Sequence, residues 1–585
     1  MSLSLLLLAA TAAFPTAPQD HDRSPAALLP ASTIAFVEFA GLDACVRAAS
    51  EAPLLTLAER LGERALGARP ADLFAAEVLR DLTDELRQIG LGTRELRAIL
   101  RSRSALGVGR PVAFDDGMLP SFGLVLELGD DSEALGAAID RFIGAMDERE
   151  VITTRTRTIG GVEVNVLSHE RRSGEVCIAK VDGYAIATLG AGYLTDILGT
   201  LRGETESILA TPIAARARED VGDGALAWGA VNLRPITDLV RWYAPYEADA
   251  ILAALGVRAL DGLSFGTAMR GGQSVDVFRV AGEIDEHGIL AALGGSRVDP
   301  ALLNSLPEDS ALVCGLTVDL EKLRAGIHAL VAALPAAARR ELRRDFDRDF
   351  AGGLRDAGIE PEEVLALVDA LGPEFVLGVT TPKFQFGVPQ FPRLVLVGRA
   401  PQGVDPAEQF AALATRAGAV VQEQVVEERT LRWITVEGAP VRASIAFATD
   451  DDKLVVASDL PYLKELLRQE QGLDVDPSAA GDGCVEHASL WMWLRVREHI
   501  GALWEETSPQ VENLLESNER IPITPEDLPS PEDLHAALRD VSIGVGIDGG
   551  GFVLRFASPI GGSTFLAVLG AMFDEAVTGS RRRTG

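Results

Sequence analysis

Residues 182–198 read Asp-Gly-Tyr-Ala-Ile-Ala-Thr-Leu-Gly-Ala-Gly-Tyr-Leu-Thr-Asp-Ile-Leu, and residues 451–467 read Asp-Asp-Lys-Leu-Val-Val-Ala-Ser-Asp-Leu-Pro-Tyr-Leu-Lys-Glu-Leu-Leu. The two stretches match from end to end without a gap, which pairs Tyr193 with Tyr462. Each contains a short turn, an apolar run of strand type and an amphipathic helix, in that order. The sequence therefore predicts that one fold occurs twice in this chain.

A second match lies near the end of each half. Residues 263–275 read Leu-Ser-Phe-Gly-Thr-Ala-Met-Arg-Gly-Gly-Gln-Ser-Val, and residues 541–553 read Val-Ser-Ile-Gly-Val-Gly-Ile-Asp-Gly-Gly-Gly-Phe-Val, so that Val275 corresponds to Val553. Apolar residues alternate on either side of a Gly-Gly pair, which is typical of a β-hairpin. A shift of one residue would turn each strand over, so agreement of both signals favours a duplication.

Shorter matches lie between these stretches. Leu106-Gly-Val108 corresponds to Leu377-Gly-Val379, and Leu124-Val-Leu126 to Leu394-Val-Leu396. Hairpins are frequent, and helices are too few for strict β-α alternation. We therefore expect an α+β fold of two homologous tandem halves, each a largely antiparallel sheet with helices packed on one face.

The predicted boundaries follow from these repeats and from the composition of the termini. They are a signal peptide at residues 1–13, a flexible spacer at 14–27, a first α+β repeat at 28–282, a linker at 283–304, a second repeat at 305–562, and a C-terminal helix with a basic tail at 563–585. Hairpin 262–281 should superpose on hairpin 540–558.

Charge restricts the partners of the chain. With 585 residues and a formal net charge of −32, the chain can bury a core in each half and repels polyanions. The basic cluster Arg581-Arg582-Arg583 lies at the extreme C-terminus. Nucleic acid is therefore not an expected partner, since its recognition needs a basic footprint.

The N-terminus predicts export. Residues 3–10 form an apolar core of signal-peptide length, and Ala10-Thr11-Ala12 offers a small-x-small cleavage pattern, so the mature chain should begin near Ala13 or Phe14. No later segment reaches the ~20 apolar residues that a membrane-spanning helix needs. We expect a periplasmic or extracellular protein without a transmembrane helix. The cysteines are too sparse for a disulfide scaffold, and buried free thiols are favoured: Cys45, Cys177, Cys314 and Cys484.

Three motifs resemble functional sites, but their contexts differ. Gly262-Leu-Ser264-Phe-Gly266 matches a nucleophile elbow, yet Ser264 begins a strand, no helix follows, and the second half has Asp540 in place of the first glycine. Residues 107–113 partly match a dinucleotide fingerprint but continue as extended chain after Pro111. Residues 345–349 resemble a calcium loop, but Phe350 stands where the turn needs glycine. We interpret Ser264 as a strand residue, residues 107–113 as the end of a strand, and residues 345–349 as part of an amphipathic helix with a charged solvent face.

Neither the histidines nor the residues matched between the halves indicate a reactive site. The seven histidines form no metal-binding motif, and Cys484-x-x-His487 is a two-ligand fragment. Residues of the same type recur in both halves, and we interpret them as scaffold rather than as duplicated ligand sites: Tyr193 and Tyr462, Trp228 and Trp491, Arg234 and Arg497, Glu95 and Glu363. The sequence predicts no catalytic, cofactor-binding or metal-binding residue.

The openings of the two halves resemble those of a known family. Residues 29–38, Leu-Pro-Ala-Ser-Thr-Ile-Ala-Phe-Val-Glu, and residues 306–310, Leu-Pro-Glu-Asp-Ser, follow an apparent signal peptide, as in an exported bacterial family known as a domain of unknown function. The resemblance implies no activity and no site residues. We expect a non-enzymatic binding or structural component of the envelope, whose partner is an unknown protein or envelope ligand. The alternative is a secreted hydrolase with a site in the cleft between the halves, because pockets prefer domain interfaces.

Overall fold

The structure, a computed structural model, combines helices with one large antiparallel sheet. The structure describes residues 23–66 and 93–566, except for 115–116, 130–131, 148–151, 170–171, 244, 286, 295–297, 371, 382–383, 386–387, 390–391, 401–402, 437–442, 469–471, 474–487, 518–523, 549–550 and 565. The predicted signal peptide and most of the predicted C-terminal helix and tail lie outside these residues.

The strands of the first half are numbered in chain order. They are β1 (Ala35–Phe39), β2 (Ser104–Phe114), β3 (Gly117–Glu127), β4 (Ile152–Ile159), β5 (Val162–His169), β6 (Arg172–Val181), β7 (Tyr184–Leu189), β8 (Ala225–Asn232), β9 (Val257–Arg270) and β10 (Gln273–Ile284). The strands of the second half are β11 (Ser310–Thr317), β12 (Glu374–Thr380), β13 (Phe384–Gln385), β14 (Val388–Pro389), β15 (Leu394–Arg399), β16 (Val421–Val426), β17 (Arg429–Val436), β18 (Ala443–Asp450), β19 (Lys453–Ala457), β20 (Leu490–Leu494), β21 (Val541–Asp548) and β22 (Gly551–Ser558).

Helices connect the strands. The α-helices span Leu42–Ser50, Pro53–Leu66, Thr93–Arg101, Ser132–Asp147, Ala191–Leu201, Pro212–Val221, Arg234–Tyr243, Pro245–Leu255, Pro300–Leu303, Leu320–Ala333, Ala336–Asp345, Gly352–Asp356, Pro361–Ala370, Pro406–Arg416, Leu460–Leu466, Val496–Glu516 and Pro531–Ala537. Shorter turns of 3₁₀ type span Pro25–Leu28, Ile208–Ala210, Leu290–Leu293 and Pro525–Asp527, and one π-helical segment spans Phe346–Ala351.

Twenty of these strands form a single sheet, and β13 pairs separately with β14. Pairing gives the order β4-β5-β6-β7-β3-β2-β1-β8-β9-β10 in the first half. The sheet continues through the β10–β22 pair into the order β22-β21-β20-β11-β12-β15-β19-β18-β17-β16. Every pair is antiparallel. The two halves therefore share one sheet, where the sequence predicted a sheet for each.

The strand order mirrors itself about the centre. Val277 in β10 lies opposite Arg555 in β22. The sequence match between the two hairpins aligns Val275 with Val553, so two positions further on it aligns Val277 with Arg555. A residue thus faces its own sequence counterpart at the middle of the sheet, and both hairpins occupy equivalent positions on either side of it.

One sequence match needs a correction of two residues. Leu124 lies opposite Leu106 and Ala187, while Leu396 lies opposite Leu377 and Val456. Leu396 is therefore the structural counterpart of Leu124, whereas the sequence match assigned Leu394 to that position. Side chains alternate with a period of two, so a shift of two residues preserves the pattern and the sequence cannot detect it.

Helices cover both faces of the outer strands, not one face as predicted. In the first half, helix Ser132–Asp147 packs on Val176 and Ile178 of β6. Helix Ala191–Leu201 belongs to the core on the opposite face, with Cys177 and Ala179. Neighbouring residues of one strand point to opposite faces, so a run without polar residues is buried on both sides.

The second half repeats this arrangement. Helix Leu460–Leu466 packs with Ala446 and Ala448 of β18, and helix Pro406–Arg416 packs on the opposite side with Phe447. We call the face that carries helices Ala191–Leu201 and Leu460–Leu466 the covered face. Both halves therefore build their cores from the same pair of layers.

Parts of the predicted flexible spacer and of the predicted linker are packed. Pro25–Leu28 is a 3₁₀ turn inside the predicted spacer, and its Leu28 belongs to the core on the covered face of the first half. In the predicted linker, Leu302 and Leu303 belong to the core on the covered face of the second half. Burial of these apolar side chains holds the two segments in place.

Candidate functional site

The centre of the sheet carries a row of apolar side chains on the face opposite the covered face. Phe265 of β9 lies opposite Phe278 of β10, and Phe278 lies opposite Leu554 of β22. Leu554 lies opposite Val545 of β21, which lies opposite Leu490 of β20. Directly opposed residues share a face, so the five side chains form one continuous row.

A second apolar row runs beside the first. Leu263, Val280, Phe552 and Ile547 are opposed in the same manner on β9, β10, β22 and β21. We call the two rows together the open face. Strands ~4.8 Å apart and same-face residues ~6.8 Å apart give it an area of roughly 300 Å².

Three of the nine side chains of the open face are exposed to solvent, and the other six are half-buried. Phe265 is 40% exposed, Phe278 38% and Leu490 42%. A patch of a few hundred Å² is the size of the largest apolar patch that a typical monomer exposes, and such patches often bind partners. The open face is therefore a candidate binding surface.

Glycines explain why large side chains point to this face. Gly266 lies next to Phe265 and points to the covered face, where a Cβ atom would stand 1.9 Å from Cγ2 of Val221. Helix Pro212–Val221 can approach the strand only because this position has no side chain. The strand therefore places its bulk on the open face.

The junction of the halves is a hydrogen-bonded ladder rather than a cleft. On the covered face, the Arg279 guanidinium donates to Asp220 at 2.6 and 2.7 Å and to Asp548 at 2.5 and 2.7 Å. Burial penalises its charge, but these hydrogen bonds outweigh the penalty and raise the pKa of Arg279 above its usual range. Arg555 Nη2 lies 3.9 Å from Asp220. The cluster is saturated with internal partners, so it is a structural contact between the halves.

Ser264 lies inside β9, opposite Arg279 and Ala230, and is 2% exposed. Its counterpart Ser542 lies inside β21 and is also buried. A nucleophile elbow needs an exposed serine on a strand-to-helix turn. The geometry at Ser264 does not provide that turn.

The other two motifs have equally simple surroundings. Residues 107–113 lie within β2, and no helix begins there. Residues 345–349 lie at the end of one helix and in the π-helical segment. Here the structure departs from the predicted amphipathic packing, because Leu342, Phe346 and Phe350 remain about half exposed. No other element of the described chain packs on them closely enough to bury them.

Histidines do not assemble into a metal site in the described ranges, where no group of three or more His, Cys, Asp or Glu residues could hold an ion. His499 Nδ1 is hydrogen-bonded to the Thr381 hydroxyl. Burial and the nearby Arg495 lower the pKa of His499, which favours the neutral ring. Cys484 and His487 lie outside the described residues.

The residues matched between the halves occupy the cores and helix pairs. Tyr193 and Tyr462 are buried, and Tyr193 Oη is 2.9 Å from the Thr33 hydroxyl. Trp228 and Trp491 are buried at equivalent places, opposite Gly266 and Gly544. The remaining matched residues form polar contacts: Arg234 with Asp261, Glu95 with Arg141, Glu363 with Arg416, and the Arg497 amide with Asp540.

Cysteine chemistry is suppressed by burial. Cys45, Cys177 and Cys314 are free thiols, and burial raises the pKa of Cys45 and Cys177 to about 11. A thiol with such a pKa is almost entirely protonated at neutral pH and is a poor nucleophile. Cys484 again lies outside the described residues.

Sequence reasoning missed both the open face and the Arg279 cluster. Alternation in the matched hairpins could have identified two faces per strand, but not which face a helix covers.

Within the described ranges, no helix is both long and apolar enough to cross a bilayer.

Comparisons with known proteins add no family. No protein-family model matches the chain. No curated protein matches it either. Among solved structures, crystal form I of TP0453 is similar at 9% identity, over 45% of this chain and 81% of that one, with a TM-score of 0.21. A similarity at this TM-score carries no argument about fold or function.

Proposed function

We propose that this protein is an exported, non-enzymatic binding component of the bacterial envelope and that the open face is its binding surface. The observation that carries the proposal is the apolar row from Phe265 to Leu490 across five strands, in which Phe265, Phe278 and Leu490 are exposed. Its side chains are apolar and cannot transfer protons or attack a substrate. They can bury apolar surface of a ligand, which is worth about 25 cal/mol per Å².

The net charge of the chain limits which partners the open face can bind. A net charge of −32 keeps copies of the protein apart despite the exposed apolar rows. It also disfavours acidic partners. The binding partner is therefore an apolar envelope molecule or an apolar protein surface of neutral or basic character.

We further propose that the two halves arose by duplication. The same strand order on both sides of the β10–β22 pair supports this origin. So does the position of Val277 opposite Arg555, because the match between the two hairpins pairs the same residues. Export is supported by the apolar N-terminal residues 3–10 and the Ala10-Thr11-Ala12 pattern.

Binding of a neutral solvatochromic dye such as Nile red tests the role of the open face. Phe278→Asp should weaken dye binding several-fold, since it places a charge at the centre of the rows. Val425→Asp is the matched control, because Val425 is 70% exposed on the edge strand β16 and outside the open face. Equal dye binding by both variants would contradict the proposal.

The non-enzymatic part needs its own test. A fluorophosphonate probe should label neither the native protein nor Ser264→Ala. Labelling that disappears in Ser264→Ala would instead establish a serine hydrolase. Affinity capture from the native envelope, with Phe278→Asp as the negative control, would then identify the partner.

A further inference from the structure

An ion pair joins neighbouring strands at the same place in each half. In the first half, Arg103 Nη1 lies 3.6 Å from Glu127 Oε2, and the Glu127 amide donates to the Arg103 carbonyl at 2.9 Å. In the second half, Arg399 Nη1 lies 3.2 Å from Glu374 Oε2. Glu127 and Arg399 are the last residues of β3 and β15.

The strand registers show that the two pairs are equivalent and opposite in sign. Leu106 lies opposite Leu124, and Leu377 lies opposite Leu396. Arg103 and Glu374 each stand three residues before the first leucine of their pair. Glu127 and Arg399 each stand three residues after the second leucine of their pair. Arginine and glutamate have therefore exchanged places between the halves.

Each arginine also binds a second carboxylate. Arg103 Nη2 lies 3.1 Å from Glu38 Oε1, and Arg399 Nη2 lies 2.7 Å from Asp299 Oδ2. The side chains of Glu38 and Glu374 are only 5% and 10% exposed. Their charges are poorly solvated, so an arginine beside them matters more than at a surface pair.

Apolar pattern alone does not tell these strands apart. β2 and β12 share Leu-Gly-Val at residues 106–108 and 377–379, and β3 and β15 share Leu-Val at residues 124–125 and 396–397. Pairing β2 with β15 would preserve this alternation. It would also bring Arg103 beside Arg399, and pairing β12 with β3 would bring Glu374 beside Glu127. Like charges directly opposite each other destabilise a strand pair.

We propose that the reversed ion pair directs each strand to the partner in its own half and suppresses strand exchange between halves and between copies. The inference rests on the equivalence of strand positions and is independent of the binding role of the open face. It also explains why two similar halves can fold within one continuous sheet without interchanging strands.

Refolding of full-length variants tests the inference. The reference chain carries Glu38→Gln, Asp299→Asn and Asp452→Asn, because the Asp452 carboxylate also lies 3.9 Å from Arg399 Nε. The first-half swap adds Arg103→Glu and Glu127→Arg, so both halves acquire the same polarity. The full swap adds Glu374→Arg and Arg399→Glu, so the halves again differ.

The readout is the fraction of exchanged dimer and aggregate after dilution from denaturant, measured by size-exclusion chromatography. The proposal predicts a low fraction for the reference, a roughly fivefold higher one for the first-half swap, and a low fraction again for the full swap. A fraction that rises with every added substitution, or stays constant, would overturn it, because local destabilisation accumulates and cannot reverse.

A second-half swap guards against a folding defect peculiar to the first half. Glu374→Arg with Arg399→Glu alone, in the reference background, again gives both halves one polarity and should behave like the first-half swap. Salt at 1 M shortens the Debye length to about 3 Å, so it should reduce the difference in exchanged fraction between each swap and the reference. A difference between either swap and the reference that salt leaves unchanged would contradict a charge-based mechanism.

Discussion

Replacing Arg279 with alanine should destabilise the protein more than replacing any surface arginine. Arg279 is 1% exposed and its partner Asp220 is 5% exposed, so the substitution leaves a buried carboxylate without its main counter-ion. Loss of one partner from a buried pair costs about 3–5 kcal/mol. Arg555, 3.9 Å from Asp220, remains and places the expected loss near the lower end of that range.

Equilibrium unfolding in urea, followed by fluorescence and circular dichroism, measures this loss when the two probes coincide. Arg234→Ala is the control, since its pair with Asp261 is exposed and worth about 0–1 kcal/mol. Adding Asp220→Asn to Arg279→Ala should recover part of the stability by removing the stranded charge. A loss below about 1 kcal/mol for Arg279→Ala, or no recovery with Asp220→Asn, would refute the reasoning.

Two further predictions concern buried hydroxyl and thiol groups. Tyr193→Phe should cost about 1 kcal/mol of unfolding free energy, because it removes the hydrogen bond to Thr33, whereas Tyr462→Phe should be neutral or stabilising, because its buried hydroxyl has no hydrogen-bond partner in the described structure; urea unfolding compares them. Iodoacetamide at pH 8 should leave Cys45 and Cys177 unmodified until denaturant is added, because burial raises the pKa of each thiol to about 11. Mass spectrometry of the peptides would detect labelling of either cysteine in the folded protein, which would contradict the prediction.

Local patterns predicted most strands and their hairpins, because alternation and Gly-Gly turns are properties of a few neighbouring residues. The two-sided burial of β6 could also have been inferred, since Val176 to Ala179 contains no polar residue. The sequence matched Leu394 to Leu124 because a shift of two residues leaves the apolar pattern intact.

The junction and the open face depend on long-range pairing. Arg279 and Asp548 are 269 residues apart, and nothing near either residue indicates that they meet. The alternation around Phe265 is equally compatible with burial on either side. Only the approach of helix Pro212–Val221 to Gly266 decides which face is covered.

Cross-linking across the β10–β22 pair tests the continuous sheet most directly. Phe278 and Leu554 are directly opposed on the open face, so their Cβ atoms should lie about 4.5–5.5 Å apart. Phe278 and Leu490 are three strands apart, or about 14 Å. On mild oxidation, Phe278→Cys with Leu554→Cys should form a disulfide within the monomer, identified by peptide mapping, while Phe278→Cys with Leu490→Cys should not. A bond in the second variant, or only intermolecular bonds in the first, would contradict a sheet that runs through both halves.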